Sequence, residues 1–389
     1  MDSQNVARHY NRLSGVGLDK RPNSKIISVR EINNFIKCKL IQKYANKNNI
    51  IFDLGCGKGG DLSKIKFLPM KHYYGCDIAD KSIEEAIERS KSHKFKADFL
   101  VADFTRQNIR LESKANLVMA QFSFHYAFQN ETTLDKAIKN VSTNLAPNGI
   151  FLATIPNPNT IHRRLARNNP SLIIPPPNST TTTSSTTTND NDNVDLNNLI
   201  STTNNNDNNI NNINSTNNLI STTTNTISNI NNLNSTISTT SNNDNNISTT
   251  SNNDNNTIST TNNTISTTTT TNNNNNSIPL HPFGNSLYRV EASPSFLTHQ
   301  EYNRAYTFYL EEAIEGCQEY LVNLQILNSK LAKLGIFPIL SKDFLDILNE
   351  EIRNDQNTYK RMVKHTPSKE EMQIIELYQA IAYRKISTP

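Results

Sequence analysis

The residues best suited to chemistry lie in one short stretch, 51–60, which reads Ile-Phe-Asp-Leu-Gly-Cys-Gly-Lys-Gly-Gly. An apolar run ends in Asp53, and four glycines follow within six positions before Asp61 and Leu62 open a helix. Glycines at this density let the backbone adopt positive φ and approach a ligand closely. The stretch therefore predicts a loop that binds a nucleotide-type cofactor.

The identity of that cofactor depends on the residue before the glycines. Gly55, Gly57 and Gly60 match the spacing of a dinucleotide fingerprint, which alone is a weak signal. Asp53 stands where dinucleotide-binding folds usually have an apolar residue and S-adenosylmethionine enzymes usually have an acid. This acid favours methyl transfer over hydride transfer. The chain also lacks a recognisable catalytic His or the Tyr-Lys arrangement of a dehydrogenase, which argues against hydride transfer.

The elements around this loop alternate between strands and helices. A capping box at Ser28–Glu31 predicts the start of a first helix. Apolar runs predict five strands, at 50–54, 73–77, 99–103, 117–120 and 150–154. Helices are predicted between them, so the fold class is α/β, with a Rossmann-like, doubly wound parallel sheet.

Polar residues end four of these strands, on the side of such a sheet where ligands bind. Asp77 is placed to accept hydrogen bonds from two ribose hydroxyls, and Asp103 to accept one from an adenine amine; Gln121 ends the fourth strand. Asp53 is expected to hold the glycine-loop amides or to meet a positive charge on the cofactor, with Lys37 as an ion-pair partner. The alternative is that these acids only cap the helices that follow them.

Composition divides the chain into three parts. Residues 171–277 consist almost wholly of Asn, Thr, Ser, Ile and Asp, and one ten-residue sequence occurs at 237–246 and again at 247–256. This composition lacks the apolar mass to offset ordering entropy, so we expect a disordered insert. The remaining segments are an N-terminal segment, 1–27, and one folded domain formed by 28–170 and 278–389.

Charge, hydropathy and cysteine usage argue against several classes of protein and of site. The formal charge is +4, which permits an anionic substrate without requiring one. No run of 18 apolar residues is present, so no membrane span is expected. Four scattered cysteines without neighbouring histidines favour a reducing compartment and predict no zinc or other metal site.

Several blocks together resemble the eukaryotic messenger RNA cap guanine-N7 methyltransferases, in family order. They are Ile32-Asn-Asn-Phe-Ile-Lys37, Phe52-Asp-Leu-Gly-Cys-Gly-Lys-Gly-Gly-Asp-Leu62, Gly75-Cys-Asp-Ile-Ala-Asp80, Gln121-Phe-Ser-Phe-His-Tyr126, Thr154-Ile-Pro-Asn157, Phe283-Gly-Asn-Ser-Leu-Tyr288 and Glu319-Tyr-Leu-Val322. The glycine block alone indicates a methyltransferase, and the Asn-Asn, His-Tyr and Glu-Tyr-Leu-Val blocks narrow the resemblance to cap enzymes. The insert departs from the family pattern, so we expect it to loop out with its ends close together.

The resemblance implies two sets of site residues. Those for S-adenosylmethionine are Lys37, Gly55, Asp77, Asp103, Gln121 and Tyr126, to which the glycine loop itself adds Asp53 and Gly57. Those for the cap are Asn33, Asn34, Lys58, Lys64, Arg89, His125, Glu319 and, on a loose match, Tyr378. The basic members would neutralise the triphosphate, and Glu319 would accept hydrogen bonds from guanine N1 and N2.

The implied reaction is direct displacement of the methyl group by guanine N7, whose free lone pair needs no general base. No catalytic residue is therefore assigned beyond positioning groups. The implied partners are 5′-capped RNA and the capping machinery, in the nucleus. The alternatives are a methyltransferase for another RNA or a small molecule, which would lack the guanine-reading residue, and a non-enzymatic RNA-binding scaffold, which the intact cofactor loop argues against.

Overall fold

The computed structural model describes residues 3–12, 24–45, 49–66, 68–177, 280–298 and 300–387. They all belong to one compact unit, and a second unit, 185–274, lies outside the described residues. The expected disordered insert therefore also lies outside them, except for residues 171–177 at its start. In that short segment the side chain of Ile174 is buried.

Eleven strands and ten α-helices are labelled in chain order among the described residues. The strands are β1 Asn49–Leu54, β2 Met70–Asp77, β3 Lys96–Val101, β4 Ala115–Gln121, β5 Leu145–Pro156, β6 Phe283–Gly284, β7 Tyr288–Ala292, β8 Ala305–Leu310, β9 Ile314–Tyr320, β10 Ile336–Asp343 and β11 Tyr378–Lys385. The helices are α1 Ser3–Arg12, α2 Ile27–Tyr44, α3 Leu62–Ile65, α4 Asp80–Ser90, α5 Glu131–Asn144, α6 Pro158–Asn168, α7 Leu324–Ala332, α8 Phe344–Asn354, α9 Gln356–Met362 and α10 Lys369–Ile375. Two 3₁₀ helices span Phe124–Gln129 and Pro294–Leu297.

The main sheet has seven strands in the order β3-β2-β1-β4-β5-β11-β10. The first five are parallel, which confirms the predicted α/β class with a doubly wound sheet. β11 runs antiparallel to both β5 and β10. Because β1 and β4 lie side by side at the centre and their connections run to opposite edges, their carboxyl ends border a crevice.

Apolar residues on the two faces of this sheet form two cores. Successive residues of a strand point to opposite faces, and Ile51 and Phe52 of β1 accordingly join different clusters. The cluster around Ile51 includes side chains of α2, α8 and α10, whereas the cluster around Phe52 includes side chains of α5 and α7. The helices thus cover both faces and hold the strand ends in fixed positions.

A second, antiparallel sheet has the order β6-β7-β8-β9. Its last strand, β9, packs beside the 3₁₀ helix Phe124–Gln129 that follows β4. In the register of the sheet, Tyr306 of β8 lies opposite Glu319 of β9. This sheet therefore brings residues of β8 and β9, which lie in the C-terminal part of the chain, to the crevice.

The predicted capping box at the start of α2 is wrong. The helix is preceded by Ile26, which makes no side-chain capping bond, and Ser28 is buried as the second residue of the helix. Glu31 instead accepts hydrogen bonds from the backbone amides of Lys364 and His365. The Ser-x-x-Glu pattern was therefore satisfied by tertiary contacts rather than by a local cap. Among the described helices, none has the length and apolar content that crossing a bilayer requires.

Candidate active site

A cavity of about 250 Å³ lies at the carboxyl ends of β1, β2 and β4. Its walls come from the glycine loop, the residues after β3, the 3₁₀ helix, α1 and β9. Six predicted cofactor residues line it, namely Gly55, Gly57, Asp77, Asp103, Gln121 and Tyr126. Lys37 and Asp53, which were predicted with them, do not line this cavity.

The glycine loop follows β1 in a conformation that other residues rarely adopt. Gly55 has φ +76°, and a Cβ atom added there would lie 2.5 Å from Cβ of Ser123. The amides of Gly55 and Cys56 both donate to the carbonyl of Cys76, at 2.8 and 2.9 Å. The loop is thereby tied to the end of β2, and a side chain at position 55 would clash with Ser123, which follows β4.

Asp77, at the end of β2, is the acid most closely integrated with this loop. One carboxylate oxygen accepts from the amide of Gly57 at 2.8 Å, and the other from the amide of Ala79 at 2.9 Å. Burial raises the pKa of Asp77, although the amide donors act in the opposite direction. A carboxylate oxygen can accept more than one hydrogen bond, so both oxygens can still serve a ligand in the cavity.

Two further polar side chains face the cavity. One oxygen of Asp103 accepts from the amide and hydroxyl of Thr105, at 2.8 and 2.6 Å. The carbonyl oxygen of Gln121 accepts from the hydroxyl of Thr154 at 3.0 Å. The amide nitrogen of Gln121 is therefore fixed in orientation, and it is buried without a hydrogen-bond partner among the described residues. A buried donor in this position calls for an acceptor on a ligand.

The N-terminal helix α1 closes one side of the cavity, a role that no motif in the sequence predicts. Val6 and Tyr10 of α1 line it. The hydroxyl of Tyr10 is 2.9 Å from that of Tyr126, and Asn11 donates to Asp80 at 2.7 Å. The only signal in the sequence was the i, i+4 spacing of Val6 and Tyr10, which favours one helix face.

Lys37 and Asp53 do not pair, so that prediction is wrong. The ammonium of Lys37 lies 2.8 Å from a carboxylate oxygen of Asp61, and the ammonium of Lys64 lies at the same distance from that oxygen. Asp53 instead accepts from the hydroxyl of Tyr73 at 2.8 Å. The glycine-loop amides donate elsewhere, so the expectation that Asp53 holds them is also wrong.

The charges of these two buried acids differ for physical reasons. Burial, reinforced by the negative charge of Asp61, raises the pKa of Asp53 to about 8. Although burial favours a neutral Asp61, its ion pairs with Lys37 and Lys64 hold its pKa below the usual value. The base of the loop therefore contains one firmly ionised carboxylate and one that retains its proton near neutral pH.

A second buried cluster lies next to the cavity, around Glu319 of β9. One oxygen of Glu319 accepts from the hydroxyl of Tyr306 at 2.8 Å. The other lies 3.5 Å from Nε2 of His125, and both side chains are at most 6% exposed. The predicted cap residues His125 and Glu319 are therefore brought together, whereas Tyr306 was missed.

The predicted residue Tyr378 belongs to the aromatic wall near this cluster. Its ring packs edge-to-face on Phe122, with 4.8 Å between the ring centroids. Phe122 has φ +59° and also lines the cofactor cavity. Backbone strain at a non-glycine residue clusters at functional sites, and here the strained residue both lines the cavity and packs on Tyr378.

The predicted phosphate contacts fall into two groups. Lys58 lies 2.5 Å and Arg89 lies 3.4 Å from the carboxylate of Glu85, which therefore holds both. Lys64 is buried, where it also donates to the carbonyl of Gly60. Glu85 was not predicted, because its role depends on how α4 packs beside the loop.

The two predicted asparagines lie on α2. The side chain of Asn34 is exposed. The amide oxygen of Asn33 is buried, with no hydrogen-bond partner in the described part of the chain. Among the described residues, no three His, Cys, Asp or Glu side chains lie close enough to bind a metal ion.

Comparisons with known proteins give one consistent result. A family model described as the mRNA (guanine-N(7))-methyltransferase domain matches residues 1–172 and 239–386. The mRNA cap guanine-N(7) methyltransferase of Caenorhabditis elegans is 37% identical over 179 residues, which cover 41% of this chain and 47% of that protein. The mRNA cap guanine-N(7) methyltransferase 1 of Oryza sativa subsp. japonica is 35% identical over 176 residues, covering 42% and 48%. The Schizosaccharomyces pombe protein is 35% identical over 181 residues, covering 43% and 50%. The chain thus spans about half the length of the curated relatives that it matches.

Proposed function

This chain belongs to the mRNA (guanine-N(7))-methyltransferase family, and on that premise we propose that it methylates N7 of the guanosine that caps the 5′ end of RNA, with S-adenosylmethionine as methyl donor. The resemblance of its sequence blocks is confirmed at the level of the family. The proposed activity concerns the domain formed by 28–170 and 278–389, with α1 from the N-terminal segment.

One observation carries the proposal, which is that the cavity and the Glu319 cluster share a wall. His125 contacts Glu319, whereas the next residue, Tyr126, lines the cavity; their ring centroids are 4.3 Å apart. On β9, Gln318 lines the cavity and the next residue, Glu319, lies in the cluster. Two ligands bound on either side of this wall would have neighbouring reactive ends, as group transfer requires.

The residues of the cavity suit S-adenosylmethionine. Asp77 has oxygen lone pairs for two ribose hydroxyls, and Gln121 presents a buried amide donor without a partner among the described residues. Asp103 is proposed to accept from the adenine amine. When bound, the cofactor supplies a methyl group on a positively charged sulfur. Lys37 and Asp53 lie behind the glycine loop, and we propose that they support it rather than line the cavity.

The Glu319 cluster suits guanine. The two carboxylate oxygens of Glu319 can accept hydrogen bonds from the N1 and N2 hydrogens of guanine, which adenine lacks on the corresponding edge. The hydroxyl of Tyr306 fixes the carboxylate in place. A good bidentate contact contributes about 1–3 kcal/mol of discrimination between bases.

The triphosphate is proposed to bind Lys58 and Arg89, with Asn33 and Asn34 beside it. Both basic side chains are partly exposed and share Glu85, so a phosphate would compete with one carboxylate for two cations. Lys64 is buried against Asp61 and would act through its charge from behind the loop. These charge contacts should weaken as salt rises.

No general base is proposed, because guanine N7 carries a lone pair and no proton. The chain would act by alignment, which can contribute about 7–11 kcal/mol to lowering a barrier. From the proposed substrate we also infer a nuclear site of action and contact with the capping machinery.

The test is label transfer from radioactive S-adenosylmethionine to RNA of one sequence that ends in GpppG or in a 5′-triphosphate. The proposal predicts label only on the capped RNA, at N7. Equal labelling of both RNAs would indicate another RNA methyltransferase. Absence of transfer to either, with the donor bound, would favour a binding scaffold.

A further inference from the structure

A strongly basic surface lies on α9, on the loop that follows it and on the first residue of α10. Residues 356–369 contain no aspartate or glutamate. The exposed basic side chains in this segment, termed the basic face, are Lys360, Arg361, Lys364, His365 and Lys369. Such a concentration of one sign of charge attracts a polyanion.

The acidic groups around the basic face are held by other partners. Asp355 lies 3.2 Å from the ammonium of Lys39. Glu370 accepts from the hydroxyl of Ser286 at 2.6 Å, and Glu371 caps the start of α10. Within the described parts of the chain, the lysines and the arginine of the basic face form no ion pair with a carboxylate. Their charge therefore remains available to a ligand.

One end of the basic face is fixed against α2 near a proposed cap residue. The carboxylate of Glu31 accepts from the amide of Lys364 at 2.8 Å and from the amide of His365 at 3.0 Å. It also lies 3.0 Å from Nδ1 of His365. Asn34, which is exposed, follows Glu31 by three residues and so lies on the same side of α2.

Basic side chains also act on the part of α2 that follows Asn34. Cys38 follows it by four residues on α2. Burial raises the pKa of the Cys38 thiol, whereas the charges of Lys64, Lys39 and Arg361 lower it. Lys64 is paired with Asp61 and Lys39 with Asp355, so among the described residues Arg361 of the basic face is the cation acting on this part of α2 that has no carboxylate partner.

We propose that the basic face binds the phosphates of the nucleotides that follow the cap in the RNA chain. This inference rests on the proposed function, which sets the cap triphosphate beside Asn34. An RNA chain that leaves the triphosphate carries one negative charge per nucleotide. The contacts would be independent of sequence, because lysine and arginine side chains on phosphates read no base edges.

An acidic protein partner fits this surface less well. Stable protein interfaces have an apolar centre. The large apolar side chains that are exposed elsewhere in the described chain include Leu100, Val101 and Phe337, and none of them lies in 356–369. The basic face thus offers charge without an apolar patch, as a surface that follows a phosphate backbone does.

The experiment compares the full-length protein with two triple variants that lose the same charge. Lys360→Ala/Arg361→Ala/Lys364→Ala removes three charges from the basic face. Arg110→Ala/Lys114→Ala/Lys139→Ala removes three exposed charges near the amino end of β4 and on α5. Methyl transfer is measured on GpppG dinucleotide and on a GpppG-capped 20-nucleotide RNA at several salt concentrations, and thermal melting checks folding.

We expect the first variant to raise KM for the capped 20-mer about tenfold and to change KM for the dinucleotide less than twofold. The slope of log KM against log salt for the 20-mer should fall by up to about 2, since each phosphate contact with a single strand contributes about 0.7. The second variant should behave as the wild type. An unchanged KM for the 20-mer in the first variant, or an equal change in both, would overturn the proposal.

A separate readout distinguishes failure of this inference from failure of the proposed function. Fluorescence anisotropy measures binding of an uncapped, labelled 20-nucleotide RNA, which requires neither cap nor methyl transfer. The wild type could show no methyl transfer and still bind this RNA about tenfold more tightly than the first variant. In that case the proposed function is wrong and the RNA-binding role of the basic face is supported. If binding is equal in the wild type and the first variant, the basic face does not bind RNA.

Discussion

The hydroxyl groups of Tyr10 and Tyr126 lie 2.9 Å apart, although 116 positions separate them in the chain. The hydroxyl of Tyr126 also lies 3.3 Å from the sulfur of Cys317. These contacts join α1, the 3₁₀ helix after β4, and β9 at one point in the wall of the cofactor cavity. The N-terminal helix is therefore a structural part of the proposed donor site.

Replacing Tyr10 with Phe tests this role. The ring still fills the wall, but the bond to Tyr126 is lost, which should cost about 0.5–1.5 kcal/mol. We therefore expect the Kd for S-adenosylmethionine to rise about threefold to tenfold in titration calorimetry.

Tyr309→Phe is the matched control, because that ring packs under Arg289 on the second sheet and does not line the cavity. Its donor affinity should equal that of the wild type. Equal affinities in all three proteins would mean that the Tyr10 hydroxyl does not support the donor site.

Local sequence patterns were sufficient to predict the cavity floor. Gly55 directly follows β1, whereas Asp77 and Gln121 are the last residues of β2 and β4, and parallel strands bring their carboxyl ends to one edge. Their convergence therefore needed only the strand pattern and the fold class.

The side-chain partners could not be predicted in this way. Lys37 was expected to pair with Asp53, but Asp61 lies closer to its ammonium and Tyr73 holds Asp53. Which of two acids a flexible lysine reaches depends on the packing of α2 against the loop, and no spacing rule encodes that packing. The roles of Glu85 and α1 could not be predicted for the same reason. The contacts of α1 with the cavity join residues that lie far apart in the sequence.

The second prediction concerns selection of the base. Glu319→Gln keeps the size of the side chain and an oxygen for Tyr306, but replaces one acceptor with a donor that faces the guanine N–H groups. We expect kcat/KM on capped RNA to fall by about 10- to 100-fold, corresponding to about 1–3 kcal/mol of lost recognition. The Kd for S-adenosylmethionine should change less than twofold.

Glu315→Gln provides the control on the same strand, since Glu315 is exposed. It should retain full activity on capped RNA. If Glu319→Gln lowered donor affinity as much as it lowered kcat/KM, Glu319 would be a structural support of the cavity rather than a guanine contact.

The third prediction follows from the pKa of Asp53, which burial raises from 3.8 to about 8. Between these values the folded protein holds a proton that the unfolded chain has released, so stability contributed by this group falls as pH rises toward 8. Asp53→Asn mimics the neutral acid and lacks this dependence. The variant should therefore gain stability relative to the wild type from pH 5 to pH 8, by up to about 1.4 kcal/mol per pH unit, and the difference should level off above pH 8.

Denaturant unfolding at a series of pH values measures this difference. Asp61 titrates in both proteins, so its opposite contribution at low pH largely cancels. Parallel stability curves for the wild type and Asp53→Asn would show that the Asp53 carboxyl is ionised throughout, and the raised pKa would be wrong.

The last prediction concerns residues 178–279, whose flanking segments are both fixed to the fold. On the leading side, the carbonyl of Ile174 lies 2.8 Å from the ring of His162. On the returning side, Asn169 donates to the carbonyl of His281 at 3.0 Å and accepts from its amide at 2.8 Å. Because His162 and Asn169 lie on or directly after α6, both segments are anchored to the same short helix.

Replacing 178–279 with a ten-residue Gly-Ser linker should therefore leave methyl transfer within twofold of the wild type. On the expectation from composition that 178–279 form a disordered loop, the shorter linker costs less entropy to close, so the free energy of unfolding should rise by up to about 2 kcal/mol. Activity on the capped 20-mer and thermal melting provide the two measurements. A loss of activity with an intact melting transition would show that the removed residues take part in the reaction.

A longer deletion, 174–279 with the same linker, serves as the control. The buried guanidinium of Arg304 donates to the carbonyls of Pro175 and Pro176, at 2.6 and 2.8 Å, and burial lowers its pKa to about 10. Removing these acceptors leaves a buried charge without its hydrogen bonds, which should cost at least about 1–3 kcal/mol. The longer deletion should thus melt several degrees below the shorter one. Equal melting temperatures would mean that Arg304 does not anchor the segment.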